Sequence, residues 1–168
     1  MLSLIWRFLA KQLARPAIAD RIISRAMRTP YDHLAIIGGR EIVRLAADTV
    51  LLEGDRWYMR RYWLLRLGPL QIRLHHIMAE DVGRDMHDHP WPFRTFVLRG
   101  GYLEKRERTG STLRLAGHTA GMGRGEFHRI AKVSPGGAWT LFATWGQRQG
   151  WGFKQPSGHV IPHQEYQP

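Results

Sequence analysis

Turn-forming residues interrupt the chain at short intervals from about residue 36 onward. Most of these breaks contain glycine, often beside proline, aspartate or serine, which favour the tight turns between strands. Several short segments separated in this way predict the strands of a β-sandwich or barrel. The breaks lie at Gly38–Gly39, Gly54–Asp55, Gly68–Pro69, Gly100–Gly101, Thr109–Ser111, Gly121–Gly123 and Ser134–Gly137. The predicted strands are Trp57–Leu67, Ile72–Met78, Thr95–Leu103, Leu113–Ala116, His128–Val133 and Trp139–Thr144.

The first thirty residues have a helical pattern instead. Apolar residues recur every three or four positions and basic residues occupy another face, which predicts amphipathic helices interrupted at Pro16 and ended by Pro30. We expect a helical extension over residues 1–30 and one β-barrel domain over residues 31–168. The extension would pack on the main body or another subunit, or lie on a membrane surface as a basic amphipathic helix. Its first helix has apolar Leu2, Ile5, Leu9 and Leu13, and basic Arg7, Lys11 and Arg15.

Length and composition fit a single domain. With 168 residues, 43% of them hydrophobic, the chain can bury a sizeable core. It has no cysteine, which excludes disulfides, thiolate metal sites and cysteine nucleophiles. No apolar run reaches the length of a transmembrane helix, and no signal-peptide cleavage pattern follows the N-terminal run, so we expect a cytoplasmic protein.

The formal net charge is +11, which is high for this length. Such a charge keeps a protein soluble and attracts anions, including nucleic acids, acidic lipids and phosphorylated or carboxylated ligands. The basic residues are spread along the chain, and no helix-turn-helix, zinc-finger or aromatic RNA-binding signature accompanies them. Apart from keeping the protein soluble, the positive charge therefore favours a small anionic ligand over nucleic acid as the partner.

Two histidines are separated by one residue, and a third follows about forty residues later. His87 and His89 project together if they lie on a strand, because side chains two apart point to the same face. His128 begins a distant predicted strand and could complete a site of three imidazoles. Imidazole suits Zn, Cu, Fe or Ni, and three protein ligands leave positions open for water or substrate. The sequence therefore predicts a metal site at His87, His89 and His128.

The residues around these histidines resemble the two motifs of the cupin superfamily. His87-x-His89 followed by Gly100-Gly101 looks like the first motif, and Gly125-x-x-His128 looks like the end of the second. The resemblance covers roughly residues 57–153 and implies a small double-stranded β-helix, or jelly-roll, barrel. Many cupins hold a divalent metal inside the mouth of the barrel. The superfamily includes dioxygenases, isomerases, epimerases, decarboxylases and lyases, as well as storage proteins and ligand sensors.

The first motif departs from the cupin pattern at one ligand. Cupins usually have a glutamate four or five residues after the second histidine, where this chain has Phe93 and Arg94. Because a cation cannot ligate a metal, the site either has three histidines, as in cysteine-dioxygenase-like cupins, or is not a metal site. Three neutral ligands leave Fe(II) with more positive charge, which favours an anionic substrate. We expect Fe(II), with Zn, Ni or Mn as alternatives, and Arg94 as the residue that pairs with the substrate.

Three further residues near the motifs have candidate roles. Glu126 precedes His128 by two residues, and we consider it a candidate general acid/base or fourth ligand. Asp88 should point away from its flanking histidines and fix a neighbouring strand or an imidazole tautomer. His76 shares a strand face with apolar residues, which favours a position in the core.

These observations leave three functions open. The first is an Fe(II) dioxygenase acting on a small anionic molecule, with the three histidines as ligands. The second is a non-catalytic cupin module that binds a ligand or a macromolecule, which the missing glutamate and the basic helices favour. The third is a metal-free isomerase or epimerase that uses a histidine as base. The resemblance also makes a homodimer plausible, because cupins frequently pair through sheet edges.

Overall fold

The computed structural model describes residues 2–31, 33–37, 41–45, 57–83 and 85–167, so the predicted breaks at 38–39 and 54–55 lie outside the described residues. Within these ranges no helix is long and apolar enough to cross a membrane. The helices are α1 Leu2–Leu13 and α2 Pro16–Ala26. The strands are β1 His33–Ile37, β2 Glu41–Leu45, β3 Trp57–Leu67, β4 Leu70–Ile77, β5 Met86–His87, β6 Phe93–Arg106, β7 Gly110–Leu115, β8 Thr119–Met122, β9 His128–Thr144, β10 Gly152–Lys154 and β11 Val160–Pro162.

The two helices form where the sequence predicts them. Pro16 opens α2 instead of only ending α1, a position that suits proline because its missing N–H would have no partner there. Ala19 and Ala26 of α2 pack against Tyr62 of β3 and Leu74 of β4. The second helix therefore covers one face of the sheet. The division of the chain into an extension and a barrel domain at residue 30 stays a prediction.

The strands form one curled sheet. Its path runs β11–β10–β5–β9–β4–β3–β1–β2, and β6 pairs with β9 as well as with β7 and β8. Every described pairing is antiparallel. A curled antiparallel sheet of this kind is the double-stranded β-helix that the sequence predicts, and the predicted fold class is confirmed.

Two strands are longer than predicted. β6 runs through Gly100–Gly101 and β9 runs through Ser134–Gly137, so these glycines bend a strand instead of ending it. Gly100 and Gly137 have φ of 65° and 82°. A Cβ on Gly100 would lie 2.1 Å from the carbonyl oxygen of Gly137, so glycine is required where the two strands pass. The predicted strand Thr95–Leu103 already contains Gly100–Gly101, whereas the predicted break at Ser134–Gly137 between two strands was wrong. A bend within a strand and a reversal between strands both favour glycine, so the sequence does not distinguish them.

Alternate residues of β3 and β4 point to opposite sides of the sheet. Tyr62 and Leu74 face α2. Arg61 and His75, which are paired across the two strands, face a cavity enclosed by the curl. Because β9 pairs with both β4 and β5, this inner face lies beside the predicted histidine site. A buried core cluster on the inner side consists of Met59, Ile77, Val97, Tyr102, Ile130 and Ala138.

Candidate metal centre

The three predicted ligands come together where β5 pairs with β9. His87 of β5 lies opposite His128 at the start of β9, and His89 follows β5 by two residues. One nitrogen of each ring lies within 4.8 Å of the others. Nε2 of His89 is 2.9 Å from Nε2 of His128. The pairing of β5 with β9 places the rings of His87 and His128 side by side. His89 lies beyond the end of β5, so the alternation of side chains along a strand does not determine its direction.

A buried carboxylate orients His128 from behind. Oε1 of Glu104 lies 2.8 Å from Nδ1 of His128. An ionised carboxylate only accepts hydrogen bonds, so Nδ1 carries the proton and the lone pair of Nε2 is directed to the cluster. The sequence analysis did not identify Glu104. Glu104 lies two residues before Arg106, and Arg106 is paired with His128 across β6 and β9. The proximity of Glu104 to His128 is therefore apparent only when the pairing of the strands is known.

Glu104 is itself held by two arginines. Arg106 donates to its Oε1 at 3.1 Å and Arg114 to its Oε2 at 2.8 Å. Burial acts to raise the pKa of Glu104, but the hydrogen bonds that His128 and Arg106 donate and the charge of Arg106 outweigh it and lower the pKa to about 2. Glu104 is therefore ionised at physiological pH although it is almost fully buried.

A second buried carboxylate, that of Asp81, lies near the Nδ1 atom of His87. Oδ2 of Asp81 lies 3.6 Å from Nδ1 of His87 and accepts a hydrogen bond of 2.7 Å from the backbone N–H of Ile130. The hydroxyl of Tyr58 donates to the other oxygen of Asp81. Two of the three imidazoles thus have a carboxylate on the Nδ1 side, an arrangement that fixes the ring orientation of metal-binding histidines in proteins.

Burial keeps two of the rings neutral. It lowers the pKa of His87 to about 4, although the Asp81 carboxylate acts in the opposite direction. Burial, together with the charges of His87 and His128, holds the pKa of His89 well below its ordinary value. Both rings are therefore neutral at physiological pH, and the neutral ring is the form that donates a lone pair to a metal.

The spacing of one pair of rings is compatible with a shared divalent transition metal. An imidazole nitrogen lies about 2.0–2.1 Å from such an ion, so two nitrogens at right angles about it are about 3 Å apart. The separation of 2.9 Å between Nε2 of His89 and Nε2 of His128 matches this value. The donors are three imidazoles that suit Fe, Zn, Ni or Cu, and they leave further positions for water or substrate.

The three histidines open into a cavity of about 620 Å³. This volume is within the range of sites for small molecules. Aromatic rings form much of its wall beside the histidines: Phe93 packs edge-on against His89 with 4.6 Å between ring centroids, and Phe153 lies 5.7 Å from His87. The cavity therefore combines a polar centre with an apolar wall that limits the access of water.

Three arginines line the same cavity without a carboxylate partner in the described part of the chain: Arg61 on β3, Arg73 on β4 and the exposed Arg148. The closest described contact of Arg61 is a weak hydrogen bond from Nε to Sδ of Met59 at 3.4 Å. Arg73 donates to Oε1 of Gln71 at 2.8 Å and lies over the ring of Trp63 at 4.2 Å. Burial lowers the pKa of Arg61, and lowers that of Arg73 to about 9. An arginine side chain stays cationic in proteins, so both contribute positive charge to the cavity wall.

His75, and not His76, faces the cavity. The ring of His75 stacks on Phe142 with 4.6 Å between centroids, and its buried Nε2 has no hydrogen-bond partner in the described ranges. His76 points to the other side of β4, where it stacks on Trp139 with 4.0 Å between centroids. The apolar residues that share a face with His76 pack against α2 on the outside of the sheet. An apolar strand face therefore does not identify the interior of this barrel.

The structure does not bring Arg94 or Glu126 into the cavity. The guanidinium of Arg94 lies over the ring of Trp6 in α1 at 4.7 Å, with a weak hydrogen bond to Thr119. The carboxylate of Glu126 accepts a hydrogen bond from the backbone N–H of Gly123 and holds the turn before β9. Both side chains therefore make their contacts outside the cavity that contains the three histidines.

Asp88 has the structural role that the sequence predicts. It is buried, and its Oδ1 accepts a hydrogen bond of 2.8 Å from the backbone N–H of Gly152. The backbone N–H of Asp88 in turn donates to the carbonyl oxygen of Gly152. The residue between the two histidines thus fixes the start of β10 beside β5.

Solved structures share the curled sheet. A crystal structure of Fe(II) HppE aligns with 70% of this chain and 59% of that chain, at 14% identity and a TM-score of 0.50. A DMSP lyase structure aligns with 52% of this chain and 47% of that chain, at 16% identity and a TM-score of 0.45. A Klebsiella pneumoniae protein with a double-stranded β-helix domain aligns with 55% of this chain and 81% of that one, at 18% identity and a TM-score of 0.45.

These similarities concern the fold. The alignments span less than two thirds of the HppE and DMSP lyase chains. No protein-family model matches the sequence, and no curated protein matches it either. The chain has the double-stranded β-helix fold of the cupins, and the resemblance inferred from its histidine motifs is confirmed at that level.

Proposed function

We propose that the chain is a metal-dependent enzyme of the cupin type, an Fe(II) dioxygenase that acts on a small anionic molecule. One observation carries the proposal: three converging imidazoles and three arginines without carboxylate partners among the described residues line a single cavity. The imidazoles would bind a metal in this cavity, and the arginines would bind an anion beside it. The fold similarity to Fe(II) HppE supports iron as the metal.

Each group in the cavity has a separate task in this proposal. His87, His89 and His128 hold the metal, which supplies redox chemistry and open positions for substrate and O2 when bound. Glu104 and Asp81 keep the rings of His128 and His87 in their ligating orientation. The aromatic wall excludes water, which strengthens electrostatic interactions inside the cavity.

The arginines select the substrate. Arg61 is close enough to the histidines for its charge to contribute to the lowered pKa of His75, His87 and His89. An acidic group bound by Arg61 therefore lies beside the metal, where a second donor atom of the same molecule can chelate it. Arg73, held between Trp63 and Trp91, adds a second cation. The contact that the sequence assigned to Arg94 is thus assigned to Arg61 and Arg73.

Oxygen consumption tests this proposal. The Fe(II)-loaded protein is mixed with a panel of small carboxylates, phosphonates and sulfonates that carry a thiol, hydroxyl or amine donor, and O2 uptake is recorded. We expect uptake with at least one anion, and its loss in Arg61→Gln and Arg73→Gln with the metal retained. In Arg94→Gln the uptake should be unchanged. Stoichiometric anion binding without turnover would instead indicate a ligand-binding module.

A metal-free isomerase or epimerase is the second candidate, because the cavity contains an unpartnered histidine. Nε2 of His75 is buried without a hydrogen-bond partner among the described residues. Burial holds the pKa of this ring well below its ordinary value, so the ring is neutral and its lone pair is available to act as a base on a bound substrate. The two candidates differ in their response to chelators. Turnover that survives complete metal removal and is lost in His75→Gln would support the isomerase.

A further inference from the structure

The first helix turns an apolar side away from the barrel. Trp6 packs toward Phe96 with 6.0 Å between ring centroids, and Ala10 on the same side is fully buried. Five large apolar residues of α1 are exposed instead. They are Leu2, Leu4, Ile5, Phe8 and Leu9, with between 38% and 69% of their surface exposed. At about 100° per residue these side chains span an arc of about 160° around the helix, in which Gln12 in the last turn is the one polar position.

Exposed cations accompany this arc. Arg7 and Lys11 lie at its edge on α1, and four more basic residues follow on α2 and its two ends. None of the six forms an ion pair with a carboxylate among the described residues. The one acidic residue of the two helices, Asp20, is already paired with Arg99 of β6. The remaining cations are Arg15, Arg21, Arg25 and Arg28.

We infer that α1 docks the protein on the surface of an anionic lipid bilayer. A helix that presents an apolar arc bordered by cations places its apolar side chains at the boundary of headgroups and acyl chains, and its cations next to lipid phosphates. With twelve residues α1 is about 18 Å long, which is too short to cross a bilayer. The helix therefore lies in the plane of the membrane surface.

The charges favour a lipid surface over a second copy of the chain. A symmetric dimer through α1 would place the same patch on both subunits. Arg7 and Lys11, which border the arc in each copy, would then meet the same cations of the other copy with no carboxylate of α1 to neutralise them. An anionic membrane neutralises the cations and buries the apolar arc at the same time.

Flotation with lipid vesicles tests this inference. The full-length protein is mixed with vesicles of phosphatidylcholine alone or with about 30% phosphatidylglycerol, and the bound fraction is measured at low and high salt. We expect binding to the anionic vesicles that weakens with salt. The apolar variant Leu4→Glu/Phe8→Glu should lose binding by at least about tenfold, because both side chains leave water on docking. The charge variant Arg7→Gln/Lys11→Gln should bind about twenty-five-fold more weakly, at about fivefold for each cation.

Val160→Glu serves as the control variant. Val160 is also an exposed apolar residue, but it lies on β11, which pairs only with β10 in the described sheet. It should bind vesicles like the wild type. Circular dichroism confirms that each variant is folded, which is expected because the substituted side chains are exposed. Absence of wild-type binding, or equal binding by Leu4→Glu/Phe8→Glu, would overturn the inference. A dimer in light scattering that this variant dissociates, without vesicle binding, would overturn it in favour of a second copy.

Discussion

Glu104→Gln is the substitution that most directly separates charge from shape at the candidate site. The amide oxygen of glutamine can still accept the hydrogen bond from His128, whereas the negative charge between His128, Arg106 and Arg114 is lost. The folded environment lowers the pKa of Glu104 from an ordinary 4.5 to about 2. At about 1.4 kcal/mol for each pH unit, the ionised form is stabilised by about 3 kcal/mol relative to the protonated form. We expect Glu104→Gln to reduce the free energy of unfolding of the metal-free protein by a similar amount at pH 7.

The stability difference between the wild type and Glu104→Gln should also depend on pH in a defined direction. Because the pKa of Glu104 is lower in the folded state, its contribution is complete above about pH 4.5 and is lost as the pH falls toward 2. The difference in stability between the wild type and Glu104→Gln should therefore be constant above pH 4.5 and shrink below it. Urea denaturation of both proteins across this range measures the difference directly.

Metal affinity provides the functional readout. Loss of a carboxylate behind a ligating histidine typically costs about 10- to 100-fold in metal affinity. Competition titration with a chelator should show a loss of this size in Glu104→Gln. The matched control is Glu107→Gln, which removes an exposed ion pair with Lys154 and should change stability by less than about 1 kcal/mol. A folded Glu104→Gln with wild-type stability and affinity would refute the reasoning.

Three further perturbations test the fold and the site. Gly137→Ala should destabilise the protein by more than about 1 kcal/mol, because its φ is 82° and the new Cβ would lie 2.7 Å from the carbonyl oxygen of Ile77. Thermal denaturation beside Gly158→Ala, which has open space around it, measures the excess; equal losses would contradict the close approach of the strands. Because burial lowers the pKa of His87 to about 4, the metal-free protein should lose stability as the pH falls from about 6.5 to 4. Zn(II) should raise the stability near pH 6.5 and steepen this loss in denaturation curves, because protonation of the rings releases the metal. A stability that is flat over this interval would show that the ring is not held in its neutral form. Asp88→Ala should release β10 and raise amide exchange at Gly152, detected by hydrogen–deuterium exchange; unchanged protection would mean that strand pairing alone holds this segment.

The histidine site was predictable because few residue types ligate metals. The spacing of His87 and His89, and the third histidine at 128, identified all three members of the cluster. The groups behind and around the cluster were not predictable in the same way. Glu104 and Arg61 lie on strands with alternating residues, and nothing in the sequence states which side of each strand faces the cavity. Only the pairing of β6 with β9 and of β3 with β4 decides this.

The packing of α2 explains why His75 was missed. It covers the face of β4 that carries Leu74 from outside the curl. Arg73 and His75 of the same strand line the inner face. A conventional inference, that the apolar face is the interior, then leads to His76 in place of His75. The role predicted for Arg94 stays a prediction, and the structure places its side chain outside the cavity. Proximity to the histidines in sequence does not determine on which side of β6 a residue points, and Arg94 points to α1.

The central claim is that His87, His89 and His128 bind a divalent transition metal, and elemental analysis tests it most directly. Tag-free protein is reconstituted anaerobically with Fe(II), desalted and analysed together with His87→Ala/His128→Ala and with His76→Ala, whose ring lies outside the cavity. We predict near-stoichiometric metal in the wild type and in His76→Ala, and loss of that metal in the double variant. Wild-type protein without metal, or a double variant that retains it, would contradict the account.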